Sequence, residues 1–293
     1  MRDKLLILPF DHRSSFSRDI LGLPSRKVNS NQRKKILHLK EIIFEAFLVV
    51  YNKSRTKDNL AILVDEEYGD RILSRAKKLG IKRCLPVEKS GVSEFKFDYL
   101  FWKRHIRKYC PDYVKVLVRY NPLNKDINKR QLVRLEKLSR FCQKNKYRLM
   151  LELLVPATEK DLKLAGSKRK YDAVLRAKRT VVAIKQLRKR VKASVWKLEG
   201  FNKSNWKKVI GVVSNDASII VLGRGEDEVM VQKWLTTAAE FEQIVGFAVG
   251  RTNFLLALKD YVSGKISRQE AIDTIVNNYQ SFINLWNRQK NKK

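Results

Sequence analysis

Carboxylates, cysteine and histidine are the scarce residues of this chain. Thirty Asp and Glu stand against 63 Lys and Arg, a formal net charge of +33, and Cys and His occur three times each. The cysteines (Cys84, Cys110, Cys142) are scattered, odd in number and without metal-ligand spacing. That argues against a disulfide framework and a zinc site, and fits a reducing cytoplasm. No two of His12, His38 and His105 lie at ligand spacing, and the last two fall on expected helices, so a catalytic zinc centre is not expected. No run of about eighteen apolar residues occurs, so no transmembrane helix is expected. The start, Met1-Arg2-Asp3-Lys4 and an apolar run ending Pro9-Phe10, lacks a small-residue cleavage site, so no signal peptide is read. No Gly-rich dinucleotide fingerprint follows an expected strand, and no cofactor is implied. No linker, repeat or low-complexity segment divides the chain, and residues 1–293 read as one domain.

The excess of positive charge attracts phosphates of any kind, nucleic acid included. The alternative is a solvated basic surface. Basic residues are interleaved through the expected helices rather than gathered in a tail, which favours the alternative. The densest run, 168–192, also carries Val174, Ala177, Val181, Ile184 and Val191, the spacing of an amphipathic helix with a basic outer face. Non-specific polyanion binding and a homo-oligomer stay open; a membrane partner is not expected. The aromatics Phe44, Phe47, Phe141, Trp234 and Phe282 sit inside periodic apolar patterns and read as core, not as stacking platforms.

Short, β-branched apolar runs at 5–10, 60–64, 83–87, 113–119, 148–154, 194–198, 218–222 and 244–249 read as strands. Helical patterns fill the gaps at 32–51, 69–79, 97–109, 129–145, 171–191, 203–213, 227–241 and 254–262. Residues 21–31 read as an ordered loop. A last helix over 268–288 starts at Ser267 with Glu270 three residues on, a capping box. Near-continuous apolar strands alternating with helices imply a parallel sheet covered on both faces. Eight strand–helix units are the number that closes an α/β (β/α)8 TIM barrel, here with an extra C-terminal helix.

In such a barrel the C-terminal strand ends converge on one face. Those ends are polar: Phe10-Asp11-His12-Arg13, Val64-Asp65-Glu66, Val87-Glu88-Lys89, Arg119-Tyr120-Asn121, Gly223-Arg224-Gly225 and Gly250-Arg251-Thr252, with Lys115, Glu152 and Lys197 within strands. Each has a bland reading: a helix cap for Asp11, a helix-start charge for Asp65, a salt bridge for Glu152. A lone Lys197 in an apolar run is otherwise a snorkelling or ion-paired residue. Together they read as a catalytic mouth. A lysine buried there is expensive unless it acts, and a neutral amine attacks carbonyls to give Schiff bases. Lys197 is the expected nucleophile. Lys115 is expected to hold down its pKa by like-charge repulsion, with an ion pair to Glu152 as the alternative. Glu152 or Asp11 is expected to shuttle protons. The Gly-Arg pairs Gly223-Arg224 and Gly250-Arg251 suit a phosphate. Arg13, Asp65, Glu66 and Arg119 complete the expected substrate-binding set.

The segments Leu8-Pro9-Phe10-Asp11-His12-Arg13, Leu63-Val64-Asp65-Glu66-Glu67-Tyr68-Gly69, Val114-Lys115 through Asn121-Pro122, Trp196-Lys197-Leu198-Glu199 and Gly246 through Thr252 span nearly the whole chain. In them the chain resembles the aldolase-like domain found as the C-terminal half of some bacterial inositol-catabolism kinases and as a stand-alone protein. That family is similar to class I tagatose-bisphosphate and sulfofructose-phosphate aldolases. The resemblance implies a cytoplasmic lyase that cleaves a phosphorylated keto sugar acid, 2-deoxy-5-keto-gluconate 6-phosphate, to dihydroxyacetone phosphate and malonic semialdehyde. It puts Lys197 in the Schiff-base position, Glu152, Lys115 and Asp11 in the strand-five, strand-four and strand-one positions, and Gly250 and Arg251 at the phosphate. Gly223-Arg224-Gly225 departs from the small-residue loop of the related enzymes. A barrel of altered or lost activity, and a basic nucleic-acid-binding protein, are the alternatives.

Overall fold

The computed structural model describes residues 4–23 and 28–292. The strands are β1 (Leu5–Pro9), β2 (Leu60–Leu63), β3 (Lys82–Pro86), β4 (Tyr113–Arg119), β5 (Arg148–Leu154), β6 (Val195–Glu199), β7 (Ser218–Leu222) and β8 (Ile244–Ala248). Each pairs in parallel with the next, and β8 pairs with β1, closing a TIM barrel. Closure needs glycine at one point: a Cβ on Gly246 would come within 1.8 Å of the Leu5 carbonyl oxygen.

The strands are apolar on both faces because both are buried. Leu5, Ile7, Ala61, Leu63, Cys84, Tyr113, Met150, Val195, Ile220, Val245 and Ala248 fill the barrel interior. The alternate residues, such as Leu6, Leu8, Val114, Val116 and Trp196, belong to the larger core beneath the helices.

Around the strands lie α1 (Ser14–Leu21), α2 (Ser30–Lys53), α3 (Glu66–Lys78), α4 (Trp102–Tyr109), α5 (Lys125–Lys144) and α6 (Glu159–Ala165). Next come α7 (Lys168–Lys170), a π-turn (Tyr171–Leu175), α8 (Arg176–Arg188), α9 (Lys203–Ile210), α10 (Glu228–Ala239), α11 (Arg251–Val262) and α12 (Arg268–Lys290). The capping box is present at Ser267 and Glu270. From α12 the Tyr279 hydroxyl donates to the Leu6 carbonyl at 2.9 Å, tying the last helix to the first strand. Phe44, Phe47, Phe141 and Phe282 are buried and Trp234 is partly buried. No helix among the described residues is long and apolar enough to cross a membrane.

Three local expectations change. The segment expected as a loop over 21–31 takes in the end of α1 and the start of α2; residues 24–27 of it lie outside the described residues. The helix expected from residue 97 begins only at Trp102, because Phe97 is drawn into an antiparallel bridge with Glu88 and stacks on Trp102 at 4.3 Å. The helix expected from 171 begins at Lys168 and widens to a π-turn, where the buried Tyr171 hydroxyl donates to the Val155 carbonyl at 2.8 Å.

Candidate active site

Strand alternation builds the site. Tyr113, Met150 and Val195 point into the barrel, so Lys115, Glu152 and Lys197, each two residues further on, point inward one layer nearer the mouth. The register places Glu152 beside Lys197 on neighbouring strands. These three residues, with Asp11, Glu88 and His12, line a cavity of about 390 Å³ at the C-terminal strand ends.

Glu152 bridges the two lysines: Oε1 lies 3.1 Å from Lys197 Nζ and Oε2 lies 3.0 Å from Lys115 Nζ. Lys115 also contacts Asp11 Oδ2 at 2.9 Å and Glu88 Oε1 at 2.5 Å. Burial opposes the charge on Lys115, but Asp11, Glu152 and Glu88 outweigh it and raise its pKa well above the ordinary lysine value. Burial likewise opposes ionisation of Asp11, yet Lys115, Lys197 and His12 hold its carboxyl well below the usual range. Glu152 is lowered in the same way, by Lys115 and Lys197 against burial. His12 goes the other way. Burial, then Arg251, Lys197 and Lys115, outweigh Asp11 and push it down to about 4, so its imidazole is neutral at neutral pH. Its Nδ1 is buried without a hydrogen-bond partner. Buried ionic clusters seldom add stability, and one at a barrel mouth marks a functional site.

The rim on the β7–β8 side is backbone. Gly223, Arg224, Gly225, Gly250, Arg251 and Thr252 line the cavity, and α11 starts there with no side chain capping its first turn. Arg224 and Gly225 have φ of +55° and +79°; a Cβ on Gly225 would meet Arg251 Nη2 at 2.3 Å. Arg251 donates to the Arg224 carbonyl at 3.0 Å and lies 3.5 Å from Asp19 Oδ2. An uncapped helix start flanked by glycines and an arginine can bind an anion.

The cavity gathers Asp11, Arg13, Lys115, Arg119, Glu152, Lys197, Gly223, Arg224, Gly250 and Arg251 of the expected set. Asp65 and Glu66 stand outside it, a correction. The chain turns outward after Leu63, so both belong to the start of α3: Asp65 accepts from the Tyr68 amide and pairs with buried Lys40, and Glu66 faces His105 at 3.4 Å. Asp11 is not a helix cap either, since Arg13 occupies the N-cap of α1. Lys115 does not confront Lys197 as a bare like charge; Glu152 lies between them as a shared partner and two further carboxylates hold Lys115.

Two arginines are held in the wall. Arg13 pairs with Asp98 and donates to the Glu88 carbonyl at 2.5 Å. Arg224 turns towards β6, 3.2 Å from both Glu199 and Asp172. Arg119 is exposed at the rim, on the Val92 carbonyl at 3.1 Å. Glu88, His12 and Glu199 were not in the expected set. Glu88 and His12 sit at strand ends, but nothing in the local pattern distinguishes them from neighbours such as Lys89.

Residues 1–290 match the family described as "Uncharacterized protein conserved in bacteria (DUF2090)", and the chain belongs to it. No curated protein sequence matches. Among solved structures, Cgl0159 from Corynebacterium glutamicum is similar, at TM-score 0.58 and 15% identity over 95% of this chain and 86% of that one. An archaeal fructose 1,6-bisphosphate aldolase is similar at TM-score 0.51 and 12% identity over 94% of each chain. The YdjI aldolase from Escherichia coli K12 is similar at TM-score 0.51 and 10% identity over 99% of this chain and 94% of that one. At these identities the likeness is one of fold.

Proposed function

We propose that this member of the DUF2090 family is a class I aldolase in which Lys197 forms a Schiff base with the ketone of a phosphorylated keto sugar or sugar acid. One observation carries the reading: the Lys197 amine is buried on the cavity floor, 3.1 Å from a carboxylate whose other oxygen is held by a second lysine. Two of the solved barrels it is similar to are named aldolases, which agrees at the level of fold. The sequence resemblance narrows the substrate to 2-deoxy-5-keto-gluconate 6-phosphate, cleaved to dihydroxyacetone phosphate and malonic semialdehyde in the cytoplasm, a step of inositol catabolism.

The chemistry assigns roles. Glu152 accepts a proton from the Lys197 ammonium, and the free amine adds to the ketone carbon to give a carbinolamine. Glu152 returns the proton to the carbinolamine hydroxyl, which leaves as water, and the iminium remains. The iminium then draws the electron pair of the neighbouring carbon–carbon bond, the aldehyde departs, and the enamine is protonated and hydrolysed. Asp11 and Lys115 hold Glu152 and the substrate oxygens in place. The Gly250–Arg251 turn and the start of α11 receive the phosphate, and Gly223 gives it room.

The test is trapping. The protein is incubated with dihydroxyacetone phosphate and borohydride, and the adduct is located by peptide mapping, with Lys197→Arg as control. A triose adduct on the Lys197 peptide, lost in the control, is expected. No adduct at saturating triose phosphate would refute the Schiff-base assignment.

A further inference from the structure

We propose that Glu88, at the end of β3, is the general base of carbon–carbon cleavage, taking the proton of the substrate hydroxyl that becomes the aldehyde oxygen. This rests on the aldolase reading and deepens it.

Glu88 is the cavity carboxylate with an oxygen to spare. It is only 7% exposed. Its Oε1 accepts from Lys115 at 2.5 Å, while Oε2 is buried without a hydrogen-bond partner. A buried carboxylate oxygen left unmet costs free energy and calls for a donor. Glu152 has no such vacancy, since each oxygen takes one lysine. Asp11 is a poor proton acceptor, because Lys115, Lys197 and His12 overcome its burial and hold its carboxyl well below the usual range. A hydroxyl is the donor that fits Oε2: it is neutral, so it adds no charge to a cluster of three carboxylates and two lysines.

The position of Glu88 is set firmly. Arg13 donates to its carbonyl at 2.5 Å, and its backbone bridges to Phe97. The amide of Val87 donates to Lys115 and that of Asp98 donates to Val87, at 3.0 and 3.1 Å. Around the barrel the order is Glu88 on β3, Lys115 on β4, Glu152 on β5 and Lys197 on β6. The phosphate-binding turns lie beyond, after β7 and β8. A substrate with its ketone on Lys197 and its phosphate at Gly250–Arg251 therefore extends its departing half towards β3 and β4.

The step balances. The hydroxyl proton passes to Glu88 Oε2, and the O–H pair becomes the new C=O bond. The carbon–carbon pair moves to form the enamine double bond and neutralises the iminium nitrogen. The aldehyde leaves, and Glu88 carries one proton that the reverse condensation returns.

The experiment is single-turnover trapping with 2-deoxy-5-keto-gluconate 6-phosphate and with dihydroxyacetone phosphate, on wild type and Glu88→Gln, read by adduct mass on the Lys197 peptide. Dihydroxyacetone phosphate needs no cleavage to form its iminium, so it is expected to label both proteins. The sugar acid is expected to leave a triose adduct on wild type and an intact-sugar adduct on Glu88→Gln, with cleavage slowed about 10²–10⁴-fold. A residue that merely props up Lys115 would not cause the intact-sugar iminium to accumulate. A triose adduct formed by Glu88→Gln at the wild-type rate overturns the proposal and leaves the aldolase reading standing. Loss of both adducts in folded Glu88→Gln also overturns it, since Glu88 would then act at or before iminium formation. Absence of any adduct on wild type overturns the aldolase reading itself. Should Glu88→Gln not fold, Glu88→Asp draws the carboxylate back by one methylene; a raised ratio of intact-sugar to triose adduct is expected, and an unchanged ratio overturns the proposal.

Discussion

Replacing Lys115 by methionine tests whether charge organises the barrel mouth. The substitution keeps the volume of the side chain and removes the cation from among Asp11, Glu88 and Glu152, which it meets at 2.9, 2.5 and 3.0 Å. At an effective dielectric near 20, each contact has a Coulomb energy of roughly 5 kcal/mol before desolvation and the mutual repulsion of the carboxylates are charged against it. Removing one member of a buried charge cluster costs about 3–5 kcal/mol net. For a chain of this length that lowers Tm by roughly 6–15 °C at neutral pH. The pH dependence follows from the directions of the shifts. In the wild type the Asp11 and Glu152 pKa values are lowered, so their contribution is full above the ordinary carboxylate range and fades as pH falls through it. In the variant these buried carboxylates have lost their main cation and their pKa values rise, so stability is lost as pH climbs. The two melting curves therefore diverge towards neutral pH and converge near about pH 4. Thermal melts followed by far-ultraviolet circular dichroism at both pH values check this. A Tm within about 2 °C of wild type at neutral pH refutes the electrostatic account, and an equal drop at both pH values assigns the loss to packing instead.

The phosphate turn and His12 each give a further prediction. Gly225→Ala forces a Cβ against the Arg251 guanidinium at a φ of +79°, and is expected to raise the dihydroxyacetone phosphate concentration for half-maximal trapping about tenfold, the worth of one charge-assisted hydrogen bond. An unchanged half-saturation would separate Arg251 from ligand binding. His12 is expected to titrate at about 4 rather than 6.5 when its imidazole is followed by NMR. Its folded pKa lies below the unfolded one, so it withdraws stability as pH falls from about 6.5 to about 4. Titration near 6.5 would contradict its burial beside Arg251 and the two lysines.

Much of this arrangement was legible in the chain before any fold was known. Apolar runs of strand length, alternating eight times with helical patterns, leave few arrangements that cover both faces of a parallel sheet, and the closed barrel is one of them. Strand periodicity then puts Lys115, Glu152 and Lys197 on the interior face, because every second residue points inward and Tyr113, Met150 and Val195 are interior. The helix start at Ser267 and Glu270 is a local hydrogen-bond pattern and needs no long-range context.

What tertiary structure alone decided is partnership. Asp65 and Glu88 both follow β-strands in polar segments, yet one is swung outward as the cap of α3 onto Lys40 and the other is turned inward onto Lys115. The difference lies in how soon the chain leaves the barrel: α3 begins at Glu66, directly after β2, whereas β3 runs on through the bridge between Glu88 and Phe97 before α4 begins. The role of Lys115 depended likewise on distances across three strands. A sequence shows that two lysines share a layer; only the folded barrel shows that a carboxylate stands between them and that two more neutralise the second. Charge pairing is a through-space property of side chains far apart in the chain, and strand and helix periodicity carry no record of it.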